Sequence, residues 1–197
     1  MYKSIILILL GIVLISCTEK KKQETYNPKA IELNNKGVGL MKSAEYDSAL
    51  IVFDRAIETD KNYYLPHSNK TGIYIGLQEF DKALTESDLA IRKKPDFAEG
   101  WIMAGLLHEK LGDSLTASSY FQKSVDLYDK LINDPANKDR IVKNKINRAF
   151  AIIIQGKEKE GKEELSKLKA ENPDNIMIGE FLTMNKDEFV KQLFGEN

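Results

Sequence analysis

Three alanines, Ala49, Ala83 and Ala117, stand 34 residues apart, and an internal period of that size constrains a fold more than composition does. Other positions keep the same step. Ala56, Ala90 and Ser124 follow it, Phe53 and Phe121 are two periods apart with Ser87 between them, and Gly37 and Gly105 are two periods apart with Thr71 between them. Tyr46 and Phe80 are one period apart. Small residues at fixed places let helix backbones approach to the short end of the ~8–10 Å interaxial range, with aromatics filling the space alongside. No unit of such an array buries its apolar face alone, so it needs neighbours and capped ends.

The stretch GVGLMKSAEYDSALIVFDRAIETD, from Gly37 to Asp60, carries the order glycine, aromatic, alanine, phenylalanine, alanine. GIYIGLQEFDKALTESDLAIRKKPD repeats it with a closing Pro95, and WIMAGLLHEKLGDSLTASSYFQKS adds Trp101, Gly105, Gly112, Ala117 and Phe121. These segments resemble the tetratricopeptide repeat. The resemblance implies an all-α fold: an antiparallel helix-pair solenoid wound as a right-handed superhelix, with C-terminal capping helices. Units are expected at 30–63, 64–97 and 98–131. A fourth, 142–175, follows after a shift of ten residues, where Ala149, Gly156, Gly161, Leu165 and Pro173 take the repeat's places and Lys145 and Arg148 fall on its inward face. The ten extra residues, Ile132 to Ile141, contain Asp134-Pro135, a helix stop or cap. Roughly equal lengthening of the helices on either side would preserve their pairing. Residues 176–197 are expected to cap the array with two short helices carrying Phe181, Leu182, Phe189, Val190, Leu193 and Phe194.

At the other end, Lys3 precedes eleven apolar residues, Ile5 to Ile15, too few to span a bilayer, which takes about 20. A positive start, a short apolar middle and a small residue are the parts of a cleaved signal peptide, here 1–16. Leu14-Ile15-Ser16-Cys17 resembles the lipobox of bacterial lipoproteins, in which the cysteine thiol is joined to a diacylglycerol. Cys17 is the only cysteine, so it has no disulfide partner within the chain, and two or more acyl chains hold a protein firmly at a membrane. The resemblance implies a lipid anchor at Cys17 in the bacterial envelope. Thr18 stands where the enteric inner-membrane signal has Asp, which favours the outer membrane. Residues 17–29, polar and without periodicity, are expected to form a flexible tether.

Without residues 1–16 the chain keeps 28 basic against 30 acidic residues, a balance that implies no nucleic-acid partner. Two histidines, His67 and His108, occupy packing places of the repeat. No second Cys and no H-E-x-x-H accompanies them, so no metal or other cofactor is expected. Serines are plentiful, but none sits in a G-x-S-x-G turn and no glycine-rich phosphate loop occurs. The expected function is therefore not enzymatic. A protein-binding adaptor or scaffold leads, with a permanent subunit of an envelope secretion, assembly or motility machine as the alternative. A cell-wall hydrolase would need facing carboxylates.

In the tetratricopeptide family the first helix of each repeat lines the concave side, so a protein or peptide ligand is expected there. The groove stripe lies one residue after the packing stripe, about 100° around the helix. Trp101, Gly105 and His108 pack, so Ile102, Leu106 and Glu109 face the groove. The same step gives Asn34, Val38 and Met41, then Ser68, Gly72 and Ile75, then Ile146, Phe150 and Ile153. The groove lacks the combined lysine and asparagine set of the family's carboxylate clamps, so chaperone tails are not the implied ligands. An apolar or amphipathic helix suits the Leu106–Phe150 end. That helix is supplied by a partner, by the chain's own C-terminus, or by a second copy in a homodimer.

Overall fold

The computed structural model describes residues 26–195, which divide into two compact units on either side of Pro95. The expected signal peptide, Cys17 and most of the tether lie outside the described residues.

The first unit is built from two helix pairs: α1 (Pro28–Lys42) with α2 (Tyr46–Thr59), and α3 (Leu65–Gly76) with α4 (Phe80–Lys93). α1 starts earlier than expected. The Asn27 side chain accepts the Lys29 amide, Pro28 supplies a first helical residue needing no donor, and the Asn27 amide donates to Asp60. The Tyr26 ring packs on Tyr63 at 4.6 Å. Residues 26–29 therefore belong to the folded body and not to the tether. Within the unit, Val38, Met41, Ala49, Phe53 and Ile73 form one buried cluster and Leu33, Val52 and Ala56 another.

The period is legible in the contacts. A Cβ on Gly37 would stand 2.5 Å from the Phe53 ring, so the helices approach as closely as they do only because no side chain intervenes. In the second pair the sizes are exchanged: Thr71 replaces the glycine and Ser87 the phenylalanine, and both are buried. The turn after each first helix needs a left-handed residue. Gly112 and Gly156 supply it at no steric cost, while Ala44 and Gln78 adopt φ near 60° in the first unit.

The second unit holds α5 (Ala98–Lys110), α6 (Ser114–Asn133), α7 (Ile141–Ile154), α8 (Glu158–Glu171), α9 (Ile176–Thr183) and α10 (Lys186–Phe194), with a 3-10 turn at Pro135–Arg140. Gly105 meets Phe121 as Gly37 meets Phe53, with a Cβ placed at 2.6 Å. In the last pair Gly161 is the small partner, against Ile153 and the Ala149 carbonyl. The ten extra residues do not lengthen both neighbours. α6 has 20 residues and α7 only 14, because the Asp134 carboxylate accepts the Ala136 amide and turns the chain into the 3-10 segment at Pro135. The chain is thus an all-helical array of helix pairs among the described residues, with α9 and α10 at its end.

Candidate functional site

In the first unit the expected groove residues lie on α1 and α3. Asn34, Val38, Met41 and Ile75 are buried, while Ser68 and Gly72 are half-buried. Asn34 is already engaged, its Oδ1 accepting the Asn69 amide at 2.8 Å.

Beside it runs a charge network that the sequence reading did not single out. Lys70 donates to Asp54 on α2 at 2.7 Å and bridges Glu86 on α4 at 2.6 Å, and His67 Nδ1 lies 2.6 Å from the other Glu86 oxygen. Burial alone would push the Glu86 carboxyl up, but the hydrogen bonds from His67 and Lys70 and the Lys70 charge outweigh it and hold it below the usual range. Burial likewise opposes the charge on Lys70, and its bonds to Asp54 and Glu86 raise it above the usual lysine range. These groups tie three helices together. His67 is a packed, bonded histidine, and His108 sits edge-on to Tyr120 at 5.0 Å and 3.5 Å from Asp113.

In the second unit the expected groove residues lie on α5 and α7. Ile102, Leu106, Ile146 and Phe150 are buried and Glu109 is half-buried, while Ile153 is buried toward Gly161 of α8, within its own helix pair. Two of them meet the C-terminal helices. Phe150 stacks on Phe181 of α9 at 4.9 Å and meets Phe189 of α10 edge-on at 5.4 Å. Glu109 Oε1 accepts from Lys186 of α10 at 2.9 Å. Lys186 also lies 5.5 Å from the Phe121 ring, and Lys110 lies 5.6 Å from that of Phe194. Local sequence explains the capping helices: Asn175 caps α9, Asn185 accepts the Asp187 and Glu188 amides of α10, and Gly195 ends α10 in the left-handed conformation.

The two charged residues of the fourth repeat's inward face also find places. Arg148 bridges Asp129 on α6 and Glu164 on α8, both at 2.6 Å, and these carboxylates hold its guanidinium charge against the burial that opposes it. Lys145 is half-buried. Further along α6 and α7, the Ser124 and Tyr128 hydroxyls and the Asn144 and Asn147 amides are buried polar groups with unused hydrogen-bonding capacity. Desolvation raises the Glu99 carboxyl beside Tyr128, against the opposing pull of Lys143 and Arg140. Among the described residues no three His, Cys, Asp or Glu side chains are grouped to hold a metal ion.

No family model matches this chain. It is 36% identical over 84 residues to the protein STIP1 homolog of Dictyostelium discoideum, covering 43% of this chain and 15% of that one. To the heat shock protein STI1 of Saccharomyces cerevisiae it is 30% identical over 100 residues, covering 50% and 17%. The chain therefore spans only a small part of these relatives' length. Among solved structures, PilW, described as a widely conserved type IV pilus biogenesis factor, matches with a TM-score of 0.57 and 22% identity, over 86% of this chain and 72% of that chain. These likenesses agree with the helix pairs above: the fold is the tetratricopeptide-type helix-pair repeat.

Proposed function

We propose that this chain is a protein-binding scaffold held at the bacterial envelope by a lipid on Cys17, most simply at the outer membrane. The supporting observation is that the amphipathic α10 lies against residues expected in the groove, with Phe189 on Phe150 and Lys186 on Glu109. Helix-in-groove recognition likewise lays apolar anchors spaced along one helix face into a hydrophobic groove. The anchor rests on the lipobox-like Leu14-Ile15-Ser16-Cys17. The alternative, a permanent subunit of an envelope machine, differs in stoichiometry.

Two measurements test the reading. In cells fed radiolabelled palmitate the wild-type chain takes up label and Cys17→Ser does not; label on the Cys17→Ser protein refutes the anchor. Crosslinking in native cells, followed by detergent extraction, yields a protein partner. A partner recovered at fixed equimolar ratio without crosslinker identifies a permanent subunit, and recovery of no partner refutes the scaffold.

A further inference from the structure

α10 is a nine-residue amphipathic helix, too short to persist in water without packing. Its inner stripe is Lys186, Phe189, Val190, Leu193 and Phe194, with Phe189, Leu193 and Phe194 buried and Lys186 and Val190 half-buried. Asp187, Glu188, Lys191 and Gln192 are exposed. Only Met184 and Asn185 join it to α9, both with extended backbone. Phe181 of α9 keeps its own contact with Phe150, so a rotation at that link would lift α10 without moving α9.

The ion pair that sets its register is half used. Lys186 takes Glu109 Oε1, while Glu109 Oε2 is buried without a hydrogen-bond partner. An ammonium is a single point of charge, whereas a guanidinium offers a planar fork that satisfies both oxygens of a carboxylate.

We propose that the seat of α10 on α5 and α7 is a docking site for an amphipathic helix of a partner protein, that this partner places an arginine against Glu109, and that α10 is an internal stand-in which it displaces. The partner's stripe follows that of α10: arginine first, an aromatic three residues later over Phe150, and two bulky apolar residues seven and eight later. This inference deepens the scaffold reading and rests on it.

The test adds fluorescein-labelled peptides to the detergent-extracted full chain and follows anisotropy. One peptide has the sequence of residues 184–195 and the other the same sequence with Lys186→Arg. The arginine peptide binds about tenfold more tightly than the lysine peptide, the gain expected of a second charge-assisted bond. Glu109→Gln in the chain abolishes that preference. Lys186→Glu in the chain, which loosens α10, strengthens binding of both peptides. Hydrogen exchange records the displacement: saturating peptide deprotects the amides of 186–194 and leaves those of α7 unchanged.

Failure of either peptide to bind even the Lys186→Glu chain overturns the proposal, as does binding that leaves 186–194 protected. Dimerisation of the Lys186→Glu chain in place of peptide binding also overturns it, since the seat would then belong to α10 of a second copy. If the peptides fail while crosslinking in cells still captures a partner, only this inference falls and the scaffold reading stands.

Discussion

A methyl group built onto Gly105 would stand 2.6 Å from the Phe121 ring and 3.3 Å from the Ala117 carbonyl, so Gly105→Ala must push the α5–α6 hairpin apart. A loss of about 1–3 kcal/mol, read from urea melts, is the expected outcome. The opposite substitution helps where the backbone is left-handed without a glycine. Ala44 and Gln78 sit at φ 60° and 59°, and Ala44→Gly is expected to raise stability by up to about 1 kcal/mol, visible as a higher melting temperature. The Lys70 network gives a pH signature. Because the folded-state pKa of Glu86 is lowered, its contribution is present above the unfolded carboxyl value of about 4.3 and is lost as pH falls through the folded value. Lys70 is raised, so its contribution is present below about 10.4 and is lost as pH rises through the folded value. Glu86→Gln is expected to cost about 3 kcal/mol at pH 7, with the gap from wild type closing in acid melts as Glu86 protonates. The network was legible in a form that the period alone does not reveal. Lys70 lies 16 residues from both Asp54 and Glu86, His67 lies 19 from Glu86, and Arg148 lies 16 from Glu164 and 19 from Asp129. Gly37 and Phe53 also stand 16 apart. That step carries one helix of a hairpin onto its neighbour, and opposite charges at 16 and 19 are its electrostatic trace.

At the scale of the element, the alanine crossings and helix pairs follow from the period because each crossing is a local size constraint repeated in sequence. Ala83 and Ala117 are buried at these crossings and Ser48 is exposed. Ala117→Leu should therefore lower the urea midpoint, by about 1–3 kcal/mol of stability, while Ser48→Leu leaves it in place. The uneven lengthening around residues 132–141 was not legible, because nothing periodic runs through that stretch. Its shape is decided by one carboxylate, Asp134, closing a turn on Ala136, which lengthens α6 and leaves α7 at ordinary size. Arg148 then joins the long helix to α8 through Asp129 and Glu164. Arg148→Ala leaves both carboxylates without that cation, and faster hydrogen exchange in α8 is the expected reading. The start of α1 was missed for a similar reason: the Asn27 cap and the Tyr26–Tyr63 contact act between a polar segment and a distant loop, and periodicity carries no such signal.

For the molecule as a whole, the repeat specified the fold class, since small residues at a fixed step dictate helix pairs wherever they recur. It did not specify what covers the inner faces. Helix geometry gives the stripe Ile102, Leu106, Ile146, Phe150 and Ile153 as an expectation, but the packing of α9 and α10 on Phe150 depends on where those helices come to rest, and a stripe rule carries no information about that. With Phe150 buried against two rings, the paired change Leu106→Asp and Phe150→Asp places charges among apolar groups, and a clear drop in the melting temperature of residues 96–195, followed by hydrogen exchange, is the expected result. The seating of α10 on α5 and α7 also sets an order of events during translation. The seat is complete once α7 has left the ribosome, about 2 to 8 s before α10 at ordinary elongation rates, and until α10 follows Phe150 has no Phe189 to meet. Through that interval the nascent chain offers the same apolar seat that the finished chain keeps closed. A stop codon between Thr183 and Lys186 would make the interval permanent, and such a product should be cleared by proteases faster than the full chain, a difference that pulse-chase labelling would read as a shorter half-life.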